Sequence, residues 1–355
     1  MAEQDPAIVA IQEFAKITDV DEGYAHFILQ DYDFDLQLFQ RGLNAYYQML
    51  EKSEKDSKKS DSTDSDGEDS DVVELSSDSE VEAMDTSGPG PSNALESSAP
   101  DEFPDEVTVM TWNVDGIDEG NLQKRFKGVL IVVAKVNPEV ILLQEVVPAH
   151  MPEIEKLMGK MYHIVAPPDD GMPYFTVTMI SKNIKCVKKS ILPFGNTMMG
   201  RTMTVFEGSW QKLRLVVINS HLESMREYAA ARKSQFKQCI KKMEENIGKD
   251  TLVVFGGDLN IRDAEIDALN PMIKDAWIAA GSKKDRQYTW DNKLNSNKGL
   301  PPNVRCRFDR IYFNGPYKNL DFSLHGTQMI KNIHCYPSDH FAVAVTFKNP
   351  LKPNN

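Results

Sequence analysis

An aspartate and an asparagine two residues apart, Asp258 and Asn260, follow an apolar run and a glycine pair in the stretch Thr251–Arg262, TLVVFGGDLNIR. On extended backbone that spacing aims both side chains from one face at the mouth of a sheet. A carboxylate and a carboxamide converging there suit a water to be deprotonated and a phosphate oxygen to be held. Turn chemistry alone also places Asp and Asn after strands, so the pair gains weight only in company. That company exists. Asn113, Glu145, His221 and the pair Asp339–His340 each stand where an apolar strand ends or begins. Singly, each has a structural reading: a turn start, a solvated strand end, a core histidine, a loop. Two packed sheets bring several strand ends to one rim, where residues distant in sequence meet.

The elements that must position these residues are legible as apolar runs. Strands are expected at Val107–Trp112, Val140–Leu143, Phe175–Ser181, Thr202–Gly208, Leu213–Asn219, Thr251–Phe255, Phe308–Asn314, near Phe322–Gly326 and at Phe341–Lys348. Helical spacing covers Leu122–Val136, closed by Pro138, and Arg226–Asn246, closed by Gly248. Many strands with few helices over about 250 residues predict an α/β fold of two packed sheets flanked by helices. Arg232, Lys233, Lys237, Lys241 and Lys242 give the second helix a basic outer face.

The net charge of −13 divides unevenly. Residues 1–104 hold 26 acids and 6 bases, whereas 105–355 hold 27 acids and 34 bases, so an acidic third precedes a basic remainder. A basic body is compatible with a polyanionic partner. No apolar run reaches membrane-spanning length, and MAEQDPAIVA lacks a signal-peptide pattern. Cys186, Cys239, Cys306 and Cys335 form no CxxC pair and read as reduced thiols rather than a disulfide frame or zinc site.

Three regions follow. Residues 1–50 carry three short helical patterns and resemble the ubiquitin-associated (UBA-like) domain, which implies ubiquitin as a partner. Residues 51–104 are dense in Ser, Asp and Glu and are expected to be a disordered linker. Inside it Val72–Leu75 and the acidic serines after it resemble a SUMO-interacting motif. Residues 105–355 are the expected catalytic domain.

TWNVDG (Thr111–Gly116), LQE (Leu143–Glu145), NSHL (Asn219–Leu222), GDLN (Gly257–Asn260) and SDH (Ser338–His340) occur in the order of the endonuclease/exonuclease/phosphatase superfamily. The chain resembles that superfamily from about residue 107 to 348, which implies a DNase I-like two-sheet sandwich with its site at one rim. TWNVDGIDEGN (Thr111–Asn121), GDLNIRD (Gly257–Asp263), RCRFDRI (Arg305–Ile311) and PSDHFA (Pro337–Ala342) resemble the branch that hydrolyses 5′-phosphotyrosyl bonds left on DNA by trapped topoisomerase 2. Such a substrate implies a nuclear protein, with the cytoplasm as a second compartment. An abasic-site nuclease, a deadenylase or a phosphoinositide phosphatase would keep the fold and change the substrate. An adaptor with a dormant nuclease domain would use only the N-terminal modules.

The resemblance also implies roles. Glu145 is the principal ligand of Mg²⁺, with Mn²⁺ as a substitute, and Asn113 sits beside it against a metal-bound water or the phosphate. Asp258 takes a proton from the attacking water, and Asn260 fixes that water or a phosphate oxygen. A cationic His340 stabilises charge on phosphorus with His221 assisting, and either Asp309 or Asp339 orients His340. Arg226 is a candidate phosphate contact, and Arg201, Tyr174, Trp290, Leu300 and Phe308 lie in or beside loops that line a candidate single-strand channel by base stacking.

Overall fold

The computed structural model describes residues 102–168, 171–331 and 333–349, together with Ile8, Val9 and Gln12. The three-helix, ubiquitin and SUMO expectations for residues 1–50 and Val72–Leu75, and nearly all of the linker, lie outside the described residues. The chain divides into two units at Ser98/Ala99, and the second holds every strand among the described residues. Its packing already includes Phe103, which edges against Tyr317 at 6.3 Å, and Pro104, whose carbonyl accepts from the Tyr317 hydroxyl. The last residues assigned to the linker are therefore part of the folded body.

Two six-stranded sheets form that body. The first has the order β13-β14-β1-β2-β4-β3, built from β1 (Glu106–Asn113), β2 (Val140–Val146), β3 (Tyr162–Val165), β4 (Phe175–Ser181), β13 (Asn319–His325) and β14 (Ala342–Lys348). The second has the order β5-β6-β7-β8-β12-β9. Its strands are β5 (Lys185–Pro193), β6 (Thr202–Trp210), β7 (Leu213–Ser220), β8 (Thr251–Asp258), β9 (Lys274–Asp275) and β12 (Asp309–Asn314). A two-stranded ribbon, β10 (Trp290–Asp291) with β11 (Arg305–Cys306), lies outside both sheets.

The continuous apolar runs are explained by burial on both faces. Successive residues point to opposite sides of a strand. Val107 and Val109, Val140 and Leu142, Leu215 and Val217, and Leu252 and Val254 meet in the core between the sheets. Their alternates Met110, Trp112, Ile141 and Leu143 pack outward under α1 (Leu122–Val136) and α2 (Met151–Met158). Val216, Ile218, Val253 and Phe255 do the same under α3 (Ala229–Glu244). The result is the expected four-layer sandwich. α2, β3, β5, β9, β10 and β11 are among the elements that the periodicity missed. β5 is an edge strand whose lysines 185, 188 and 189 are exposed, so its pattern is charged rather than apolar. Arg232 was assigned to the basic outer face of α3, and here the structure corrects the reading: its side chain is fully buried and pairs with Glu265 at 2.6 Å.

The topology explains why strand ends converge. β1 and β2 are parallel, as are β7 and β8, so four strands finish at one rim. β12 runs antiparallel to β8, and β14 antiparallel to β1, so their beginnings lie at that same rim. A buried amide tie joins the two sheets there, as Gln144 Nε2 at the end of β2 donates to Asn219 Oδ1 of β7 at 2.9 Å. Gly257 is the residue that lets the rim close. It has φ +149°, and a Cβ there would stand 1.8 Å from the Ser220 carbonyl oxygen.

Candidate active site

Asn113, at the end of β1, is the hub. Its Oδ1 accepts from the Asp115 N–H at 2.9 Å, which fixes the direction of the amide. Its Nδ2 therefore faces the rim and donates to Glu145 Oε1 and Asp258 Oδ2, each at 3.0 Å. With its oxygen engaged, Asn113 orients two carboxylates; as a direct metal ligand it has only the oxygen's second lone pair to offer.

Glu145 reaches this point because β2 is interrupted. The pairing with β4 shifts register between Leu143 and Val146, and Glu145 has φ +54°. A bulge of this kind re-aims a side chain, and the left-handed backbone costs about 1–2 kcal/mol at a non-glycine residue. Gly116 permits the approach, since a Cβ on it would lie 2.1 Å from the Glu145 carbonyl oxygen. Burial pushes the Glu145 carboxyl up to about 7, against the opposing pull of the Asn113 hydrogen bond and of His340. A desolvated carboxylate whose ion-pair contact is a neutral imidazole, His221 at 4.0 Å, suits a cation. No cluster of three or more His, Cys, Asp or Glu residues set to bind a metal occurs among the described residues. One carboxylate at a polar rim fits a hard ion that keeps most of its waters.

The two histidines flank Asp258 and differ in the partner behind Nδ1. His221 follows β7 and lies with Nε2 3.3 Å from Asp258 Oδ2 and 4.0 Å from Glu145 Oε1. Its Nδ1 is 2.9 Å from Arg201 Nη1. A guanidinium only donates, so Nδ1 accepts and the imidazole is the neutral tautomer with its proton on Nε2. Burial, then the Arg201 charge, lower its pKa to about 4. His340 instead places Nδ1 2.8 Å from Asp309 Oδ2, with Nε2 3.9 Å from Asp258 Oδ2. Burial opposes its charge, but Asp309 and then Asp339 outweigh it and hold the imidazolium well above the usual histidine range. Burial raises Asp309 in turn, against the pull of His340.

The structure thus separates Asp309 from Asp339. Asp309, at the start of β12, orients His340. Asp339 accepts from Trp290 Nε1 at 3.0 Å, and its other oxygen is 4.0 Å from His340 Nε2. Asp258 is held well below the carboxylate range: burial works against its charge, and His221, His340 and the Asn113 amide overcome it. Asn260 has φ +49°, a backbone state that Asn tolerates; its N–H donates to Asp258 Oδ1 at 3.0 Å and its Nδ2 to the Leu222 carbonyl at 3.3 Å, beside His221.

Among the substrate candidates, Arg201 departs from its expected role. It is buried, its guanidinium 5.3 Å from the Tyr174 ring centroid, and supports His221 from behind instead of facing solvent. Tyr174 is half-buried, its ring 6.5 Å from that of His221. Trp290 and Phe308 form a half-buried pair with centroids 5.8 Å apart, and Trp290 is 6.5 Å from His340. Arg226 is exposed on the loop after His221.

Sequence reasoning missed the residues that hold these in place. Thr289 Oγ1 accepts from the Phe308 and Asp309 N–H groups, and its carbonyl accepts from Phe341 N. Ser338 Oγ donates to the Asn113 carbonyl at 2.6 Å and accepts from His340 N at 3.1 Å. The serine of the SDH motif was a visible signal; Thr289, in an unremarkable loop, offered none.

A sandwich whose rim gathers two asparagines, four carboxylates and two histidines defines a class. The chain belongs to the Endonuclease/Exonuclease/phosphatase family, which residues 110–340 match. Within that family it is similar to the 5′-tyrosyl-DNA phosphodiesterase of Caenorhabditis elegans, 37% identical over 95% of this chain and 86% of that one. It is also similar to tyrosyl-DNA phosphodiesterase 2 of Bos taurus, 32% identical over 94% of this chain and 90% of the relative. The crystal structure of D. rerio TDP2 complexed with single strand DNA product superposes with a TM-score of 0.64. It is 32% identical to this chain, covering 69% of it and all of that chain. Enzymes of this group generally depend on a divalent metal.

Proposed function

We propose that the chain hydrolyses 5′-phosphotyrosyl bonds in DNA, the adducts that trapped topoisomerase 2 leaves, with Mg²⁺ as its metal and Mn²⁺ as a substitute. The observation that carries the reading is the convergence of four side chains: Asn113 and His221 each reach both Glu145 and Asp258 at 3.0–4.0 Å, with the Asp309–His340 pair against Asp258. Similarity to the named phosphodiesterases over nearly the whole chain supports the substrate.

Glu145, oriented by Asn113, would hold the cation. When bound, that cation withdraws charge from the phosphate. Asp258 and Asn260 aim the attacking water at phosphorus. Asp258 rests fully ionised, and the arriving phosphodiester anion raises its proton affinity at the moment it must accept a proton. His340, already cationic, and the Nε2–H of His221 meet the phosphate oxygens from two sides. Each such contact supplies roughly 3–4 kcal/mol of barrier lowering. The leaving tyrosyl oxygen has a pKa near 10, so it departs with little protonation. Trp290 and Phe308 offer a stacking face beside His340 for the strand.

Turnover of a 5′-phosphotyrosyl oligonucleotide, with and without Mg²⁺, tests this against an abasic duplex, a poly(A) strand and a phosphoinositide. Release of tyrosine that needs the metal is the expected result. Preferential turnover of any of the other three would replace the substrate while leaving the site.

A further inference from the structure

The loop that carries Arg201 is folded around one buried carboxylate that touches none of the reacting groups. Glu223, two residues beyond His221, is fully buried. Its Oε1 accepts from Thr197 Oγ1 at 2.7 Å, Met198 N at 2.6 Å and Met199 N at 3.2 Å. Thr197 Oγ1 in turn accepts from Arg201 N at 2.8 Å and Met199 N at 3.2 Å. The bend between β5 and β6 is therefore held by side chains, and one carboxylate oxygen takes three of its donors. Glu223 is itself anchored from α3: its N–H donates to Gln235 Oε1 at 2.9 Å, and its carbonyl accepts from Arg232 Nη1 at 3.0 Å. Arg232 and Gln235 are both fully buried, so the anchor is rigid.

We propose that Glu223 is a positioning residue for the reaction: through residues 197–201 it sets Arg201 against His221 Nδ1, and so directs the His221 Nε2–H toward the reacting phosphate. The line of contacts runs from α3 to Glu223, to Thr197 and the Met198 and Met199 amides, to Arg201 and then to His221. The inference rests on the function proposed above. A fold-stabilising residue would need only volume and satisfied donors. A positioning residue must act through Arg201.

That difference is measurable in the full-length protein on the tyrosyl oligonucleotide. Glu223→Ala is expected to lower kcat about 30-fold with KM within about threefold. Glu223→Gln, whose amide oxygen accepts the same donors, recovers to within about threefold of wild type. Arg201→Met matches Glu223→Ala, and the double variant falls no more than about twofold below either single one, because the second change removes an interaction already lost. Multiplying losses, a wild-type rate for Glu223→Ala, or a Gln variant as slow as the Ala one would each overturn the proposal. If Glu223→Ala does not fold, Thr197→Val removes the loop's hub hydroxyl and takes the same readouts. Amide hydrogen exchange separates this claim from the activity. Exchange at Met198 and Met199 is expected to quicken at least tenfold in Glu223→Ala, and unchanged protection would overturn the proposal. A wild-type protein inert on the oligonucleotide would sink the proposed function instead.

Discussion

The two sides of the rim use the same side chain in opposite states. His340 lies between Asp309 and Asp339 and is held cationic, whereas His221 is backed by Arg201 and held neutral. Both are buried, so desolvation disfavours charge on each, and the neighbouring charges make the difference: Asp309 and Asp339 around His340, Arg201 behind His221. The contrast teaches that a histidine's role is written in its far nitrogen. An acceptor carboxylate behind Nδ1 makes a charge stabiliser, and a guanidinium behind Nδ1 makes a fixed N–H donor. Asp258 faces both, 3.3 Å from one Nε2 and 3.9 Å from the other.

Removing the residue the two sides share should have the largest effect. Asp258→Asn takes away the proton acceptor and the anion that both imidazoles face, and kcat should fall by about 10³–10⁴ with the fold intact. A residual rate above a tenth of wild type would place the base elsewhere. Breaking only the His340 side is the next step down. In Asp309→Asn the imidazole loses its main stabilising charge, so its pKa falls. The proton that wild type keeps through neutral pH is then lost at lower pH. The rate should drop about 100-fold, more at pH 8 than at pH 6, with the alkaline limb of the pH–rate profile moved to lower pH. An unmoved limb would mean that Asp309 is not what holds the charge. Breaking only the His221 side costs less: Arg201→Met should lose about 30-fold in kcat with no shift of that alkaline limb, since His221 donates in its neutral form.

How much of this arrangement was legible depended on where the information resides. β1, β2, β7 and β8 were readable because burial on both faces makes their apolar runs continuous. Asn113, Glu145, His221, Asp258 and His340 were readable because a polar residue directly after such a run is conspicuous. What single positions do not encode is partnership. Choosing between Asp309 and Asp339 needed the antiparallel pairing of β12 with β8, which sets Asp309 opposite Asp258. Arg201 reads as part of a strand-binding channel because a cation in a loop usually faces solvent. Its true neighbour, His221, lies one strand away, and β6–β7 pairing brings them together. The Glu145 bulge left no sequence signal beyond the glycine at 116 that accommodates it.

The smallest expected effect concerns Glu145, which belongs to neither histidine and sharpens the comparison by showing what burial does to a group with no fixed counter-charge. Its carboxyl is raised from 4.5 to about 7, so the folded protein holds that proton more tightly than the unfolded chain. For an acid raised in this direction the penalty is absent below about pH 4.5, grows as pH rises and is complete above about 7. It amounts to about 3 kcal/mol at most. A cation bound at Glu145 removes the penalty, since the ionised form is then compensated. Adding Mg²⁺ should therefore raise the midpoint of thermal unfolding by several degrees at pH 8 and by little at pH 5. Glu145→Gln, neutral at every pH, should melt above metal-free wild type at pH 8 and respond to Mg²⁺ at neither pH. An equal Mg²⁺ response at the two pH values, or one that survives in Glu145→Gln, would move the cation away from this carboxylate.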